Sequence, residues 1–197
     1  MIKKYWAKKT AWNKFSDLIF LVLIITLLFP KGRMAVGGFI NNIKAQIFNP
    51  TKLQETQFIP ETDFNWTLSD IEGQKINLST LKGKVLFINL WATWCPPCVG
   101  EMPEIQQLYD EFKDDPNIIF LMISNEKPAL IHRFIERNHY SFPVLSSLSQ
   151  APASFSVSSI PTTFIVSKSG QLIVKETGAA NWGGEKAKAL VRELLGE

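Results

Sequence analysis

Asn89-Leu-Trp-Ala-Thr-Trp-Cys95-Pro96-Pro97-Cys98 joins an apolar run to a helix-forming one, and it holds the only two cysteines of the chain. Thiol–disulfide exchange needs one thiolate that attacks and a second thiol that resolves the mixed disulfide. Two cysteines separated by two residues at a helix start supply both. Cys95 is expected at the exposed mouth of the strand-to-helix turn, where the positive end of the helix dipole favours a thiolate. Cys98, one turn into the helix, is expected to be the buried, resolving thiol. Neither Pro96 nor Pro97 has an N–H, so the helix start offers Cys95 fewer donors and its thiolate only moderate stabilisation. Two merely structural thiols would have no reason to flank two prolines at such a junction.

Outward from this stretch, Val85-Leu-Phe-Ile-Asn-Leu90 is almost continuously apolar, the pattern of a central strand covered on both faces. Met102, Ile105, Leu108, Tyr109 and Phe112 recur at helical spacing, so a helix is expected from Cys98 to about Phe112, with Pro103 kinking it. Ile118–Ile123 reads as a second buried strand and Pro128 to about Asn138 as a second helix. Phe142–Leu145, Thr162–Val166 and Gln171–Lys175 follow as strands, and Glu185–Leu195 as a last helix. Upstream, Phe64–Leu68 and Lys75–Leu78 alternate around Ser69–Gly73 and predict a hairpin. The polar stretch Thr51–Pro60 reads as a linker. This order describes an α/β fold: a mixed sheet with helices on both faces and an N-terminal β-hairpin.

Trp94-Cys95-Pro96-Pro97-Cys98, with Pro103 further along the helix and Ile160-Pro161-Thr162 far downstream, resembles the thioredoxin superfamily. Continuing into Glu101-Met102-Pro103, it is similar to the membrane-anchored TlpA/ResA branch, over roughly Phe58 to the C-terminus. The resemblance implies a thioredoxin-like sheet and a catalytic set of Cys95, Cys98, Pro161 and Glu101. Pro161 would be a cis-proline facing the disulfide. Asn89 stands where thioredoxin carries a buried acid that assists the resolving thiol, so that carboxylate is missing. Glu101 is positioned to replace it, or else is an ordinary acid complementing the helix dipole. Trp91 and Trp94 are expected around the site.

With 197 residues, 46% of them hydrophobic, the chain accommodates one ordinary domain and an extension. The net charge of +3 is carried by Lys3, Lys4, Lys8, Lys9 and Lys14; the remainder is slightly acidic and has no basic stripe, which argues against nucleic acid. These lysines precede Leu18–Phe29, an apolar run that with Trp12–Asp17 nears the length of a membrane span. The nearest cleavage site, Ala35-Val-Gly37, is poor, so an uncleaved signal anchor is expected, with the N-terminus in the cytoplasm. Val36, Phe39, Ile40, Ile43, Ile47 and Phe48 then mark an amphipathic helix. The expected division is 1–33 for basic tail and anchor, 34–57 for amphipathic helix and linker, and 58–197 for the thioredoxin-like domain.

The sequence therefore reads as a thiol–disulfide oxidoreductase of the bacterial inner membrane, facing the periplasm or extracytoplasmic space. By resemblance it is a reductase of protein disulfides such as those of cytochrome c maturation, supplied with electrons by a membrane partner of the DsbD/CcdA type. A peroxide-reducing relative would need a peroxidatic threonine-and-cysteine pattern that is absent. A copper-binding assembly factor would need methionine or histidine clusters, also absent. His132 and His139 have no cysteine near them, and Cys98 is followed by Val99, not the histidine of a haem-attachment motif. No cofactor and no metal are expected.

Overall fold

The computed structural model describes residues 15–18, 20–21 and 49–196. The expected anchor lies outside the described residues apart from Leu18, Phe20 and Leu21, and the amphipathic segment 34–48 lies wholly outside them. No helix of the described residues is long and apolar enough to cross a membrane.

Among the described residues eight strands form one mixed sheet in the order β1-β8-β7-β4-β5-β6-β2-β3. They are β1 Gln57–Phe58, β2 Thr67–Asp70, β3 Lys75–Asn77, β4 Val85–Leu90, β5 Ile118–Ile123, β6 Val144–Ser147, β7 Thr162–Val166 and β8 Gln171–Thr177. The helices are α1 Pro96–Phe112, α2 Pro128–Asn138 and α3 Glu185–Leu195. Strand β4 is central, parallel to β5 and antiparallel to β7, and all six of its residues are buried. That is why its sequence is an apolar run, interrupted only by Asn89, with no alternation. The β2–β3 hairpin forms as predicted and joins the sheet through β6.

Alternation along β4 and β5 sorts their side chains into two cores. Val85, Phe87, Ile118, Phe120 and Met122 face one side, with α1, α2 and α3 packed over them through Met102, Ile105, Ile131, Val191 and Leu194. Leu86, Ile88, Leu90, Leu121 and Ile123 face the other, with Phe64, Trp66 and Phe155. The expectation of helices on both faces is therefore corrected for the described residues: all three helices pack into the core of one face. The crossovers β4–α1–β5 and β5–α2–β6 step the same way across the sheet, and right-handed connections then place both helices on the same side. The opposite face is covered by short 3-10 turns, Glu61–Phe64, Leu78–Leu81 and Ala153–Phe155.

Two local expectations also change. Glu61–Phe64 is a 3-10 turn, held where Asp63 Oδ2 accepts from the Ser154 N–H and hydroxyl at 2.8 and 2.7 Å, so the strand begins only at Thr67. Within the expected linker, Gln57–Phe58 pairs with Gln171–Leu172 as an edge strand, and the Leu53 N–H reaches the Ile173 carbonyl at 2.8 Å. Two-residue edge pairing leaves no hydrophobic period to read, which is why a polar stretch concealed it.

Candidate active site

The end of β4 delivers the chain into the cysteine motif, and Cys95 caps α1 from an extended conformation (φ −93°, ψ 104°). Cys95 and Cys98 are joined in a disulfide with their Cα atoms 5.3 Å apart. The Cys98 N–H points at Cys95 Sγ at 3.3 Å, and the Val99 N–H bonds the Cys95 carbonyl at 3.0 Å. The two prolines thus do not strip the sulfur of its donor, because the first N–H after them is aimed at it. Cys95 is 4% exposed and Cys98 0%. This corrects the expectation of an exposed mouth: both sulfur-bearing residues are buried, although Cys95 remains the more accessible.

Far in sequence but adjacent in space, the Ile160–Pro161 peptide bond is cis, and the Ile160 carbonyl oxygen lies 3.7 Å from Cys95 Sγ. Antiparallel pairing of β7 with β4, Leu90 opposite Thr162, brings this turn to the end of β4 where the cysteines begin. Trp91 is buried against Phe134, ring centroids 5.4 Å apart. Trp94 also stands at the site, but is 69% exposed. It stands on the wall of a cleft of about 440 Å³ that runs from Ile160 between the Trp91–Trp94 loop and Val157, with Trp66 and Phe155 in its floor.

Glu101 is entirely buried, in the second turn of α1, and so is not a solvated acid at a helix end. Its Oε1 accepts from Asn89 Nδ2 at 2.8 Å, and its Oε2 accepts from the Ala180 N–H at 3.2 Å and Trp182 Nε1 at 3.1 Å. Burial pushes its pKa up to about 8, against the pull of these three donors and with a smaller upward push from the Glu176 charge. Glu101, read in the sequence against the carboxylate missing at position 89, is thus the direct partner of Asn89, whose Nδ2 also donates to Thr163 Oγ1 at 2.8 Å. Pro103 lies inside α1, where it has no N–H to offer the preceding turn.

Three participants were not found by reading the sequence. Glu126 accepts from the Thr93 N–H at 2.6 Å and the Thr93 hydroxyl at 2.8 Å, tying down the loop that carries Trp91–Cys95. A signal existed: Glu126 follows β5, and parallel neighbours end on the same edge of a sheet. Trp182 and Thr163 gave none, since each reaches the site through the tertiary fold. His132 lies on the surface beside Glu136, 3.2 Å away, and His139 ends α2 in the left-handed region (φ 58°).

The family model described as Redoxin matches residues 54–191. The chain is similar to the thiol-disulfide oxidoreductase ResA of Bacillus thuringiensis, 34% identical over 166 residues that cover 84% of this chain and 90% of that protein. It is also similar to ResA of Halalkalibacterium halodurans, 36% identical over 120 residues, 60% of this chain and 68% of that one. Among solved structures, a putative thiol-disulfide oxidoreductase from Bacteroides vulgatus matches with a TM-score of 0.56 at 25% identity, over 66% of this chain and 91% of its own.

Proposed function

We propose a function from the fact that this chain belongs to the redoxin family: a thiol-disulfide oxidoreductase, it acts as a membrane-anchored reductase of protein disulfides outside the cytoplasm. The observation that carries the chemistry is the Cys95–Cys98 disulfide at the start of α1, with the Cys98 N–H directed at Cys95 Sγ. In the dithiol form that donor favours the Cys95 thiolate. The thiolate attacks one sulfur of a client disulfide; the client S–S bond breaks, a mixed disulfide forms, and the first client sulfur leaves as a thiolate that takes a proton from solvent. Cys98 then gives its proton to the ionised form of Glu101, three residues on in the same helix, and attacks Cys95 Sγ. The mixed disulfide breaks, the second client thiolate leaves, and the Cys95–Cys98 bond is restored. Pro161 and the Ile160 carbonyl form the wall along which the client backbone lies.

The anchoring half of the proposal rests on sequence: Lys3 to Lys14 before the apolar run Leu18–Phe29. On this reading residues 1–33 are the tail and anchor, and 34–57 join them to the catalytic domain of 58–197, with Leu53 and Gln57 already bonded to β8. Disulfides persist in the extracytoplasmic space, so a reductase there needs electrons from across the membrane, and a partner of the DsbD/CcdA type would supply them. The cysteine pairs of apocytochrome c are clients consistent with the ResA-like sequence.

The test is trapping. Cys98→Ser leaves the mixed disulfide unresolved, so client proteins are expected to accumulate on Cys95, releasable by dithiothreitol, and the doubly substituted chain traps none. Absence of any trapped client sinks the exchange reading. The direction is read from the redox potential of the pair: a value near about −270 mV supports a reductase, and one near about −120 mV makes it a disulfide donor.

A further inference from the structure

The polar group buried between α1 and the sheet contains an atom that the exchange chemistry leaves unexplained. Asn89 Nδ2 donates to both Glu101 Oε1 and Thr163 Oγ1, while Asn89 Oδ1 is buried and receives nothing. A buried oxygen without a donor costs about 1–3 kcal/mol.

Glu101 shows why such an arrangement would persist. Its three partners all present N–H groups to it, a set that suits a carboxylate and offers nothing to accept the O–H of a neutral carboxyl. The Ala180 N–H and the Trp182 indole can only donate. Asn89 alone among them has an acceptor to turn inward. Its oxygen and amino ends are alike in size, so a half-turn about the last side-chain bond swaps them without repacking. Oδ1 would then face Glu101, to take its proton in a hydrogen bond, and Thr163, whose hydroxyl accepts from Nδ2 in one orientation and donates to Oδ1 in the other.

We propose that Asn89 is a positioning residue whose side-chain amide turns over with the proton on Glu101, presenting Nδ2 to the carboxylate and Oδ1 to the neutral carboxyl. This deepens the function proposed above and rests on its use of Glu101 as the group that receives the Cys98 proton. The benefit is that a proton arriving on Glu101 finds an acceptor one half-turn away, on a side chain already in contact. An aspartate at position 89 would instead set a second carboxylate against Glu101, and a leucine would satisfy neither state. The charged group acting on Glu101 from a neighbouring element is Glu176 at the end of β8; Asn89 on β4, Thr163 on β7 and the Ala180–Trp182 segment bring no charge.

The test uses the full chain in detergent micelles, in its disulfide form, by isotope-labelled NMR across a pH range spanning the Glu101 midpoint of about 8. The Asn89 side-chain amide is assigned through its own backbone. Above the midpoint, the Asn89 amide protons are expected to show nuclear Overhauser contacts to Thr163. Below it, those contacts are expected to fall at least threefold, with the midpoint of the Glu101 carboxyl carbon. A nearby charge alone would shift the resonances without removing the contacts. In Glu101→Gln the contacts are expected to be independent of pH. Contacts that persist through the Glu101 titration, contacts that still vary with pH in Glu101→Gln, or a Glu101 that does not titrate in this range each overturn the proposal. Failure of client trapping would leave these readings intact, so the two proposals fail separately.

Discussion

At the scale of single residues, the site is governed by where a carboxyl group is forced to sit. Glu101 is charged in the unfolded chain near neutral pH, but burial raises its folded pKa from 4.5 to about 8. Between those two values the unfolded state has lost a proton that the folded state keeps, so stability falls as pH rises through that window and levels off above it. Glu101→Gln, which carries no charge in either state, is expected to flatten this decline, measured as urea midpoints of the disulfide form at successive pH values. An unchanged slope would show that Glu101 titrates normally. The cysteine pair was legible as a redox couple from spacing alone. The burial of Glu101 was not, because an acid three residues after Cys98 reads equally well as a solvated residue.

At the scale of elements, α1 and the loop before it form the working part, and their position depends on β5 as much as on β4. Glu126, three residues beyond Ile123 at the end of β5, holds Thr93 by both its N–H and its hydroxyl. Glu126→Ala removes the side-chain acceptor from a backbone donor, a loss of about 1.5 kcal/mol. Hydrogen exchange at the Thr93 amide is expected to quicken about tenfold, with slower exchange chemistry at Cys95; unchanged protection would mean the loop is held by packing. Long buried strands were readable because runs of six residues that are wholly apolar, as in Ile118–Ile123, or apolar but for one, as in Val85–Leu90 with its Asn89, have few other uses. The edge strand Gln57–Phe58 was not: its pairing uses backbone groups, which every sequence has.

At the scale of the whole molecule, one sheet separates two apolar cores. Phe87 meets Trp182 edge-on at 5.1 Å and Phe120 at 5.1 Å on the helical side, and Phe155 stacks on Trp66 at 5.6 Å on the other. Because strands β4, β5 and β7 contribute to both cores, neither can melt while the sheet stays ordered. Phe87→Ala and Phe155→Ala are each expected to cost about 3–5 kcal/mol, and in each the circular dichroism and tryptophan fluorescence transitions should coincide. Separate transitions would show the two faces to be independent units. By itself the sequence determined the redox couple, the central strands, the hairpin and the three helices, because each is written in local spacing and periodicity. Only the tertiary structure decided that the three helices share one face, that Cys95 is buried, and that Asn89, Glu101, Thr163 and Trp182 form one polar group. Burial and hydrogen bonding depend on which distant segments meet, and that is settled by strand order and crossover handedness, which no local pattern encodes.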